Sequence, residues 1–247
     1  MGLEALLGAV SYLPYKPIYE IALTASIHDA KALGDDLKAV LEGSHIVKFN
    51  DYATATRVNT RVLAVKEEGH PALLTHRFEF DLKSSNIVMD IGNGTLICSL
   101  FGESGRLVDR KAFPRAGVQS LIAEIAEAEE FSSFLGGEIA NEQYIRSAIE
   151  ADGDRKFKYA QTGFGFKHIY DAKLRPWVES SLAPAIKFLK PWQINASKCL
   201  VIGGGALLPG INQTLSKLGF TVSSDPVWAN AQGLYELTQI LIQKEAA

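Results

Sequence analysis

The alternation of apolar and polar positions predicts a chain in which strands and helices follow one another. In its first third, helices are expected at residues 3–12 and 29–41, and strands at 18–23, 45–49 and 61–65. Ser26 is in position to cap the second helix, and the charged segment 66–71 is expected to form a turn. Strand, helix and strand in this order predict an open α/β sheet with helices on its faces.

The centre of the chain predicts a hairpin. Two apolar runs within residues 86–101 flank the sequence Asp-Ile-Gly-Asn-Gly-Thr, which begins at Asp90. This pattern predicts a buried strand, a tight glycine turn and a returning strand. The tip also carries a carboxylate at Asp90, a hydroxyl at Thr95 and glycines that let backbone N–H groups converge on an anion. These are the components of a site for phosphate and magnesium.

The rest of the chain predicts further strands and helices around this hairpin. A third strand is expected at 105–113, and later strands at 199–202 and 221–222. Helices are expected at 116–130, 138–150, 167–189, 211–218 and 228–244. Pro176 and Pro184 should make the longest of these helices irregular. The polar stretch 152–156 is expected to be an exposed excursion.

A second glycine turn follows the strand at 199–202. Gly203, Gly204 and Gly205 lie between this buried strand and a helix started by Pro209. Glycines here allow a flat ligand or a second backbone to lie against the main chain. They could also begin a dinucleotide-binding turn, but that pattern requires glycine or alanine at position 208, where Leu208 stands.

The composition narrows the classes of function. Of the 247 residues, 47% are hydrophobic and 21% are charged, so the chain can bury a core. The formal net charge of −3 argues against direct contact with nucleic acid. No apolar run approaches the roughly 20 residues that span a bilayer, so we expect no membrane contact. Cys98 and Cys199 each fall in a predicted buried strand and are expected to be small core residues in a reducing cytoplasm.

The two glycine turns together resemble a known family. In this order along the chain, they are similar to the second phosphate loop and the adenosine loop of the actin-like ATPases, most closely the ParM/StbA group of plasmid-segregating actins. The resemblance implies the ribonuclease H-like α/β fold that actin shares with sugar kinases and heat-shock chaperones. It also implies two domains, with the remainder of the first at residues 1–85 and the second, which carries both loops, at 86–247.

The resemblance implies roles for the residues of the hairpin tip. Asp90 would hold Mg²⁺ through ordered water. The turn amides and the threonine hydroxyl would face the β- and γ-phosphate oxygens of ATP or GTP, through Gly92, Asn93, Gly94 and Thr95.

The resemblance also implies roles outside the hairpin. The adenosine loop would lie along the base and sugar through Gly203, Gly204, Gly205 and Ala206. Glu68, upstream of the hairpin, is placed like the glutamate with which ParM-like proteins orient the attacking water, and Glu67 could fill this role instead. The segment 225–233 resembles the closing motif of the family, which forms a hinge helix.

One feature departs from the family pattern. Actin-like proteins begin with a first phosphate loop, which is another Asp-x-Gly turn, but no glycine before Asp90 follows an aspartate by two positions. We therefore expect a fold that is incomplete at its N-terminus and an ATPase that needs the missing loop to be supplied.

The function that the resemblance implies is binding and hydrolysis of ATP or GTP, coupled to filament formation in plasmid or DNA segregation. The partners would be further copies of the chain and an adaptor protein bound to plasmid DNA. Two alternatives stay open. One is a non-hydrolysing actin-like module that binds or regulates a partner, which the missing loop favours. The other is a small-molecule kinase, which would need a substrate-side base and a specificity loop that the sequence does not reveal.

Overall fold

The structure is a computed structural model that describes residues 2–49, 54–76, 81 and 83–246. The chain divides into two compact units: unit 1 is Met1–Glu79 with Ala229–Ala247, and unit 2 is Phe80–Trp228. The two domains that the resemblance implied, residues 1–85 and 86–247, stay a prediction. Among the compact units, the C-terminal segment groups with unit 1. No helix in the described ranges is long and apolar enough to cross a membrane.

The elements have the following bounds. The helices are α1 (Gly2–Val10), α2 (Ala30–Leu41), α3 (His70–Thr75), α4 (Val118–Ala126), α5 (Glu129–Phe134), α6 (Glu142–Glu150), α7 (Lys167–Trp177), α8 (Ala183–Gln193), α9 (Ile211–Lys217) and α10 (Ala229–Glu245). The strands are β1 (Ile18–Ile27), β2 (Gly43–Val47), β3 (Thr56–Glu67), β4 (Asn86–Ile91), β5 (Thr95–Phe101), β6 (Leu107–Pro114), β7 (Lys198–Ile202) and β8 (Thr221–Val222).

Within its described residues, unit 1 contains a three-stranded sheet in the order β1-β3-β2. β1 runs parallel to β3, and β2 runs antiparallel to it. The helix between β1 and β2 is capped by Asp29, whose Oδ1 accepts a hydrogen bond from Ala32 N at 2.9 Å. The prediction that Ser26 caps this helix is wrong, because β1 continues through Ile27 and Ser26 lies inside the strand.

Helix α10 belongs to unit 1 because it packs against α3 and β1. Thr24 Oγ1 lies 2.6 Å from Thr238 Oγ1, which joins β1 to α10. Gly233 lies so close to α3 that a Cβ atom there would stand 1.8 Å from Pro71 O. Only glycine permits this approach of the two helices. The short helix α3 begins at His70, so only Glu68 and Gly69 of the expected turn 66–71 lie between it and β3, and its N-cap is Gly69, whose φ of 84° suits glycine.

Unit 2 is built on a five-stranded sheet in the order β6-β5-β4-β7-β8. The predicted hairpin is present, since β4 and β5 pair antiparallel from Asn86 opposite Phe101 to Ile91 opposite Leu96. β6 continues the meander, whereas β7 pairs parallel with β4 and β8 pairs parallel with β7. The central strand β4 is buried on both faces, since Ile87 and Met89 on one face are 0% exposed and Val88 on the other is 1% exposed.

Two of the predicted helices are interrupted. The helix expected at 116–130 divides into α4 and α5, with Ala128 in extended backbone between them. The long helix expected at 167–189 consists of α7, a π-helical turn at Val178–Leu182, and α8. The prolines explain the irregularity, because Pro176 lies inside α7 and Pro184 in the first turn of α8, and neither can donate a backbone hydrogen bond.

Candidate functional site

The two glycine turns leave the sheet of unit 2 at the same edge. β4 and β7 are parallel neighbours, and Asp90 near the end of β4 lies opposite Ile202 at the end of β7. The chain turns from β4 to β5 on one side of this pair and passes from β7 towards β8 on the other. Such a reversal of strand order at the carboxyl ends of parallel strands is where open α/β sheets form ligand crevices.

The hairpin tip is held by the chain segment that starts α4. Gly92 N donates to Thr95 O at 3.0 Å and closes the turn. The three carbonyl groups of the tip accept backbone hydrogen bonds, from Val118 N to Gly92 O (3.1 Å), Gln119 N to Asn93 O (2.8 Å) and Arg115 N to Gly94 O (3.0 Å). The tip therefore has a fixed backbone conformation before any ligand binds.

Gly117 makes this contact possible. A Cβ atom at this position would lie 2.3 Å from Asn93 O and 2.6 Å from Thr95 N, which are backbone atoms that cannot move aside. The carbonyl of Gly117 also accepts a hydrogen bond of 3.3 Å from Nε1 of Trp177, which is 1% exposed. The contact between the tip and α4 is thus tied into the core of unit 2.

The tip offers hydrogen-bond donors with no protein acceptor. Within the described residues, the N–H groups of Asn93 and Gly94 donate to no other group, and neither does Oγ1 of Thr95. Because the tip carbonyls are all occupied by the α4 segment, the groups left over are donors. A cluster of unpaired donors in a glycine turn can bind an anion.

Asp90 lies at the junction of the two turns. It is the half-buried member of an otherwise buried strand. A Cβ atom at Gly203 would stand 2.4 Å from Asp90 Oδ1, so the carboxylate lies directly against the backbone of the second turn. Within the described residues there is no group of three or more His, Cys, Asp or Glu side chains that could hold a metal ion. A single carboxylate agrees with Mg²⁺ binding, in which water and phosphate supply most ligands.

The second turn combines two packed glycines with one that faces open space. Gly203 has φ 87° and ψ 157°, a conformation restricted to glycine, and its N–H donates to Pro226 O at 2.8 Å. A Cβ atom at Gly205 would lie 2.3 Å from Ile91 Cγ2, whereas one at Gly204 would meet nothing within 4 Å. Ala206 is 1% exposed and lies in the core. In the part of the chain that the structure describes, the N–H groups of Gly204 and Gly205 have no acceptor.

Both turns line one cavity of about 560 Å³ inside unit 2. Asn93 comes from the hairpin tip, and Gly204 and Gly205 come from the second turn. The volume is in the range of cofactor pockets. The other predicted residues of the two loops adjoin the lining residues in sequence but do not line the cavity: Asp90, Gly92, Gly94, Thr95, Gly203 and Ala206.

Several residues that line the cavity were missed by the sequence reasoning. Its apolar wall is formed by Val118, Ile122, Ile149, Leu207, Leu208 and Val227. Arg146 and Glu150, one helical turn apart on α6, and Lys156 supply charged groups. Arg146 donates from Nη2 to Gln119 Oε1, and Gln119 donates in turn to Glu142 Oε2, so the guanidinium is held in place. Lys156 lies in the stretch expected to be an exposed excursion, and it is exposed yet borders the cavity.

Glu68, the predicted water-orienting residue, belongs to unit 1, whereas Asp90 and both glycine turns belong to unit 2. Its turn is fixed within unit 1: Glu68 N donates to Ile27 O at 3.1 Å, and Gly69 N donates to Oδ1 of Asn230 on α10 at 3.1 Å. Glu67, the alternative, uses Oε1 to accept a hydrogen bond of 3.0 Å from Ala30 N at the start of α2. This contact gives Glu67 a structural role, and the catalytic role of Glu68 stays a prediction.

The comparisons with known proteins identify the fold. No protein-family model matches the sequence, and a search among curated proteins finds no significant match. An archaeal actin homologue in complex with ADP has a TM-score of 0.75 and 15% identity, over 96% of this chain and 77% of its own. Bacillus thuringiensis ParM in its apo form has a TM-score of 0.63 and 18% identity, over 98% and 68%.

A 15-stranded ParM filament from Clostridium botulinum is also similar, with a TM-score of 0.69 and 13% identity over 96% of this chain and 73% of its own. At this level of identity the similarity concerns the fold. This chain therefore has the actin-like α/β fold that the two glycine turns predicted, with ParM proteins and an archaeal actin homologue among the similar structures.

Proposed function

We propose that this chain binds a nucleoside triphosphate, ATP or GTP, with Mg²⁺ in the cavity of unit 2, and that it hydrolyses this nucleotide in a cycle coupled to filament assembly. One observation carries the proposal: two glycine turns leave adjacent parallel strands and line a single cavity, with N–H groups that have no acceptor within the described residues and with the carboxylate of Asp90 against the second turn. The fold agrees with it, since a similar archaeal actin homologue was solved with ADP.

The properties of the cavity suggest how the nucleotide would be oriented. The phosphate groups would accept hydrogen bonds from the hairpin tip, at Asn93, Gly94 and Thr95, because these donors have no acceptor in the part of the chain that the structure describes. Bound Mg²⁺ would neutralise phosphate charge beside Asp90. The base and sugar would extend along Gly204, where the main chain faces open space, and against the apolar wall of the cavity.

For hydrolysis we assign Glu68 the role of orienting the attacking water. Phosphoryl transfer requires positioning and neutralisation of charge more than covalent chemistry, so one well-placed carboxylate is enough. The sequence position of Glu68, before the short helix α3 and upstream of the hairpin, supports this assignment. The two hydrogen bonds that hold its turn support it as well, because a fixed turn positions a side chain at low entropic cost.

Self-association into filaments extends the proposal to the whole protein. It is supported by the actin-like fold and by the similar ParM from Clostridium botulinum, which was solved as a filament. In this proposal the chain works in the cytoplasm, and its filaments move plasmid or other DNA through an adaptor protein.

A second candidate function is a non-hydrolysing actin-like module that binds a partner. It is favoured by the identity of only 13–18% to the similar actin-like structures, since a shared fold does not imply a shared activity. This candidate predicts weak or absent turnover, while the main proposal predicts turnover that depends on Glu68.

Calorimetric titration with Mg·ATP and Mg·GTP tests binding. A Cβ atom at Gly204 would meet nothing within 4 Å, and Gly204 lines the cavity, so Gly204→Val should leave folding intact and weaken binding at least about tenfold, which is ~1.4 kcal/mol. Gly163→Val is the matched control, because Gly163 also has open space around its Cα but does not line the cavity. Equal affinity in both variants would remove the cavity from the proposal.

Phosphate release tests hydrolysis. Glu68→Gln should slow release by about a hundredfold while nucleotide affinity stays unchanged, since a positioned general base contributes at least that factor. Glu67→Gln is the control: its amide oxygen can still accept the hydrogen bond from Ala30 N, so the rate should persist. If wild-type protein binds nucleotide but releases no phosphate, the non-hydrolysing module is the correct function.

Sedimentation with and without Mg·ATP tests filament assembly. An unchanged amount of pelleted protein would contradict assembly coupled to the nucleotide.

A further inference from the structure

The turn that carries Glu68 is held in part by a side chain from α10. Glu68 follows the last residue of β3, and Gly69 is the N-cap of α3. Gly69 is buried, so its N–H group needs an acceptor inside the protein. That acceptor is Oδ1 of Asn230, which lies 3.1 Å away and comes 161 residues later in the chain. The residue next to Glu68 is therefore fixed by a helix that is remote in sequence.

The hydrogen bonds of Asn230 permit only one orientation of its amide group. A backbone N–H can only donate, so the atom that faces Gly69 N must be the amide oxygen. The amide nitrogen then faces β1, where Nδ2 donates to Oγ of Ser26 at 2.9 Å. One planar side-chain group thus connects the end of β1 to the turn after β3.

The backbone around Asn230 is itself fixed against α3. Ala229 is 0% exposed, and its carbonyl oxygen accepts a hydrogen bond of 3.1 Å from Oγ1 of Thr75 at the end of α3. One turn further along α10, Gly233 lies so close to α3 that a Cβ atom there would stand 1.8 Å from Pro71 O. The first turns of α10 therefore hold Asn230 at a defined distance from the Glu68 turn.

These bonds determine the backbone conformation of Glu68. The N–H of Glu68 donates to Ile27 O at 3.1 Å, and this fixes the peptide plane before its Cα atom. The N–H of Gly69 donates to Asn230, and this fixes the peptide plane after it. With both planes held, φ and ψ of Glu68 are set, and so is the direction in which its side chain leaves the backbone.

We propose that Asn230 is a positioning residue for hydrolysis, which acts by holding the turn in the conformation that presents the carboxylate of Glu68. The inference rests on the role that the proposed function gives to Glu68. Without the bond from Gly69, the second peptide plane can rotate and the carboxylate samples other positions, which lowers the rate of a reaction that depends on orientation. Asn230 itself touches no reacting atom.

Steady-state phosphate release from Mg·ATP tests this role. Asn230→Ala should lower kcat at least about tenfold, because the orienting group is misplaced in a large fraction of the molecules. KM and the affinity for Mg·ADP should stay at the wild-type values, because Asn230 belongs to unit 1 and the cavity lies inside unit 2.

A double variant separates positioning from stability. If Asn230 acts only through Glu68, Asn230→Ala in a Glu68→Gln background should lower kcat no further. Thr238→Val is the matched control on the same helix, since it removes a hydroxyl 2.6 Å from Thr24 Oγ1 and leaves the Glu68 turn intact. It should lower the Tm and leave kcat unchanged.

Each outcome either supports or overturns the inference. An Asn230→Ala protein that is folded by circular dichroism and keeps the wild-type kcat overturns the positioning role, while the proposed hydrolysis stands. Losses that multiply in the double variant, or an equal loss of kcat in Thr238→Val, show a general effect of α10 and overturn it too. Wild type that binds nucleotide and releases no phosphate overturns both the inference and the hydrolysis on which it rests.

Ser26→Ala provides the same test if Asn230→Ala does not fold. This change removes only the partner of Asn230 Nδ2 and keeps the acceptor of the Gly69 N–H. Loss of one neutral hydrogen bond that orients the amide should lower kcat about threefold at unchanged KM. An unchanged kcat in this folded variant overturns the inference.

Discussion

Substitution of Gly203 by alanine tests the close packing of the second glycine turn against β4. Gly203 has a backbone conformation that costs other residues roughly 1–3 kcal/mol. The added Cβ would lie 2.4 Å from Asp90 Oδ1 and 2.6 Å from Ile91 O, so β4 and the second turn must separate. Their separation also weakens the hydrogen bond from Gly203 N to Pro226 O, which contributes about 1 kcal/mol. Together we expect a loss of about 2–4 kcal/mol in the free energy of unfolding.

Thermal and urea unfolding followed by circular dichroism measure this loss. For a protein of this size, about 2–4 kcal/mol corresponds to a fall in Tm of roughly 5–15 °C. Gly204→Ala is the matched control, because its Cβ meets nothing within 4 Å and its backbone is not left-handed, so stability should be unchanged or about 1 kcal/mol higher. A Gly203→Ala protein as stable as wild type, or an equal loss in both variants, would refute the close packing of the second turn against β4.

Three further predictions concern the same units. Gly117→Ala should cost about 2–3 kcal/mol and change the fluorescence of Trp177, because its Cβ would lie 2.3 Å from Asn93 O and disrupt the hydrogen bonds of the tip; unchanged stability and emission would contradict this. Burial raises the pKa of Cys98 to about 12, so its thiol should resist iodoacetamide at pH 8 and react only after unfolding in urea; rapid labelling of the folded protein would count against a buried thiol. Burial and the charge of Lys66 lower the pKa of His70 from 6.5, so the unfolded chain binds a proton more readily than the folded chain does. The free energy of unfolding should therefore fall as the pH drops from 7 to 5. His70→Gln should reduce the accompanying fall in Tm, and an identical pH profile would exclude His70 as its source.

The sequence was sufficient to predict the hairpin and the second glycine turn because both are local patterns. In the stretch 86–101, apolar runs define the strands, and the glycines between them define the turn. The parallel pairing of β4 with β7 could be inferred only through resemblance, since the sequence of neither strand indicates which strand it pairs with. The structure supplies this pairing, and with it the shared edge.

The cavity wall could not be predicted from local patterns. Arg146, Glu150 and Lys156 look like solvated charges in sequence, because their position depends on how α6 and the following loop pack. That loop is held by Phe131, whose ring centroid lies 4.9 Å from that of Phe164 and 5.5 Å from that of Phe166. The i, i+4 spacing of Arg146 and Glu150 is a signal, but it is common on exposed helices.

The grouping of the C-terminal helix with unit 1 could not be predicted from local patterns either. The contacts of α10 with unit 1 join residues far apart in sequence, such as Thr24 with Thr238 and Gly69 with Asn230. A small residue at Gly233 gave the only local signal, since it lets α10 approach Pro71 closely. Amphipathic periodicity predicts which face of a helix is buried. It does not predict the unit against which that face packs.

The most direct test of the shared nucleotide cavity is a titration of ¹⁵N-labelled protein with Mg·ADP, followed through its amide resonances. The account predicts that the amides of Asn93 and Gly94 on the hairpin tip, and of Gly204 and Gly205 on the second turn, shift together with one dissociation constant. The amide of Gly163, away from the cavity, should stay in place. Shifts confined to one of the two turns, or to neither, would contradict the claim that they form a single site.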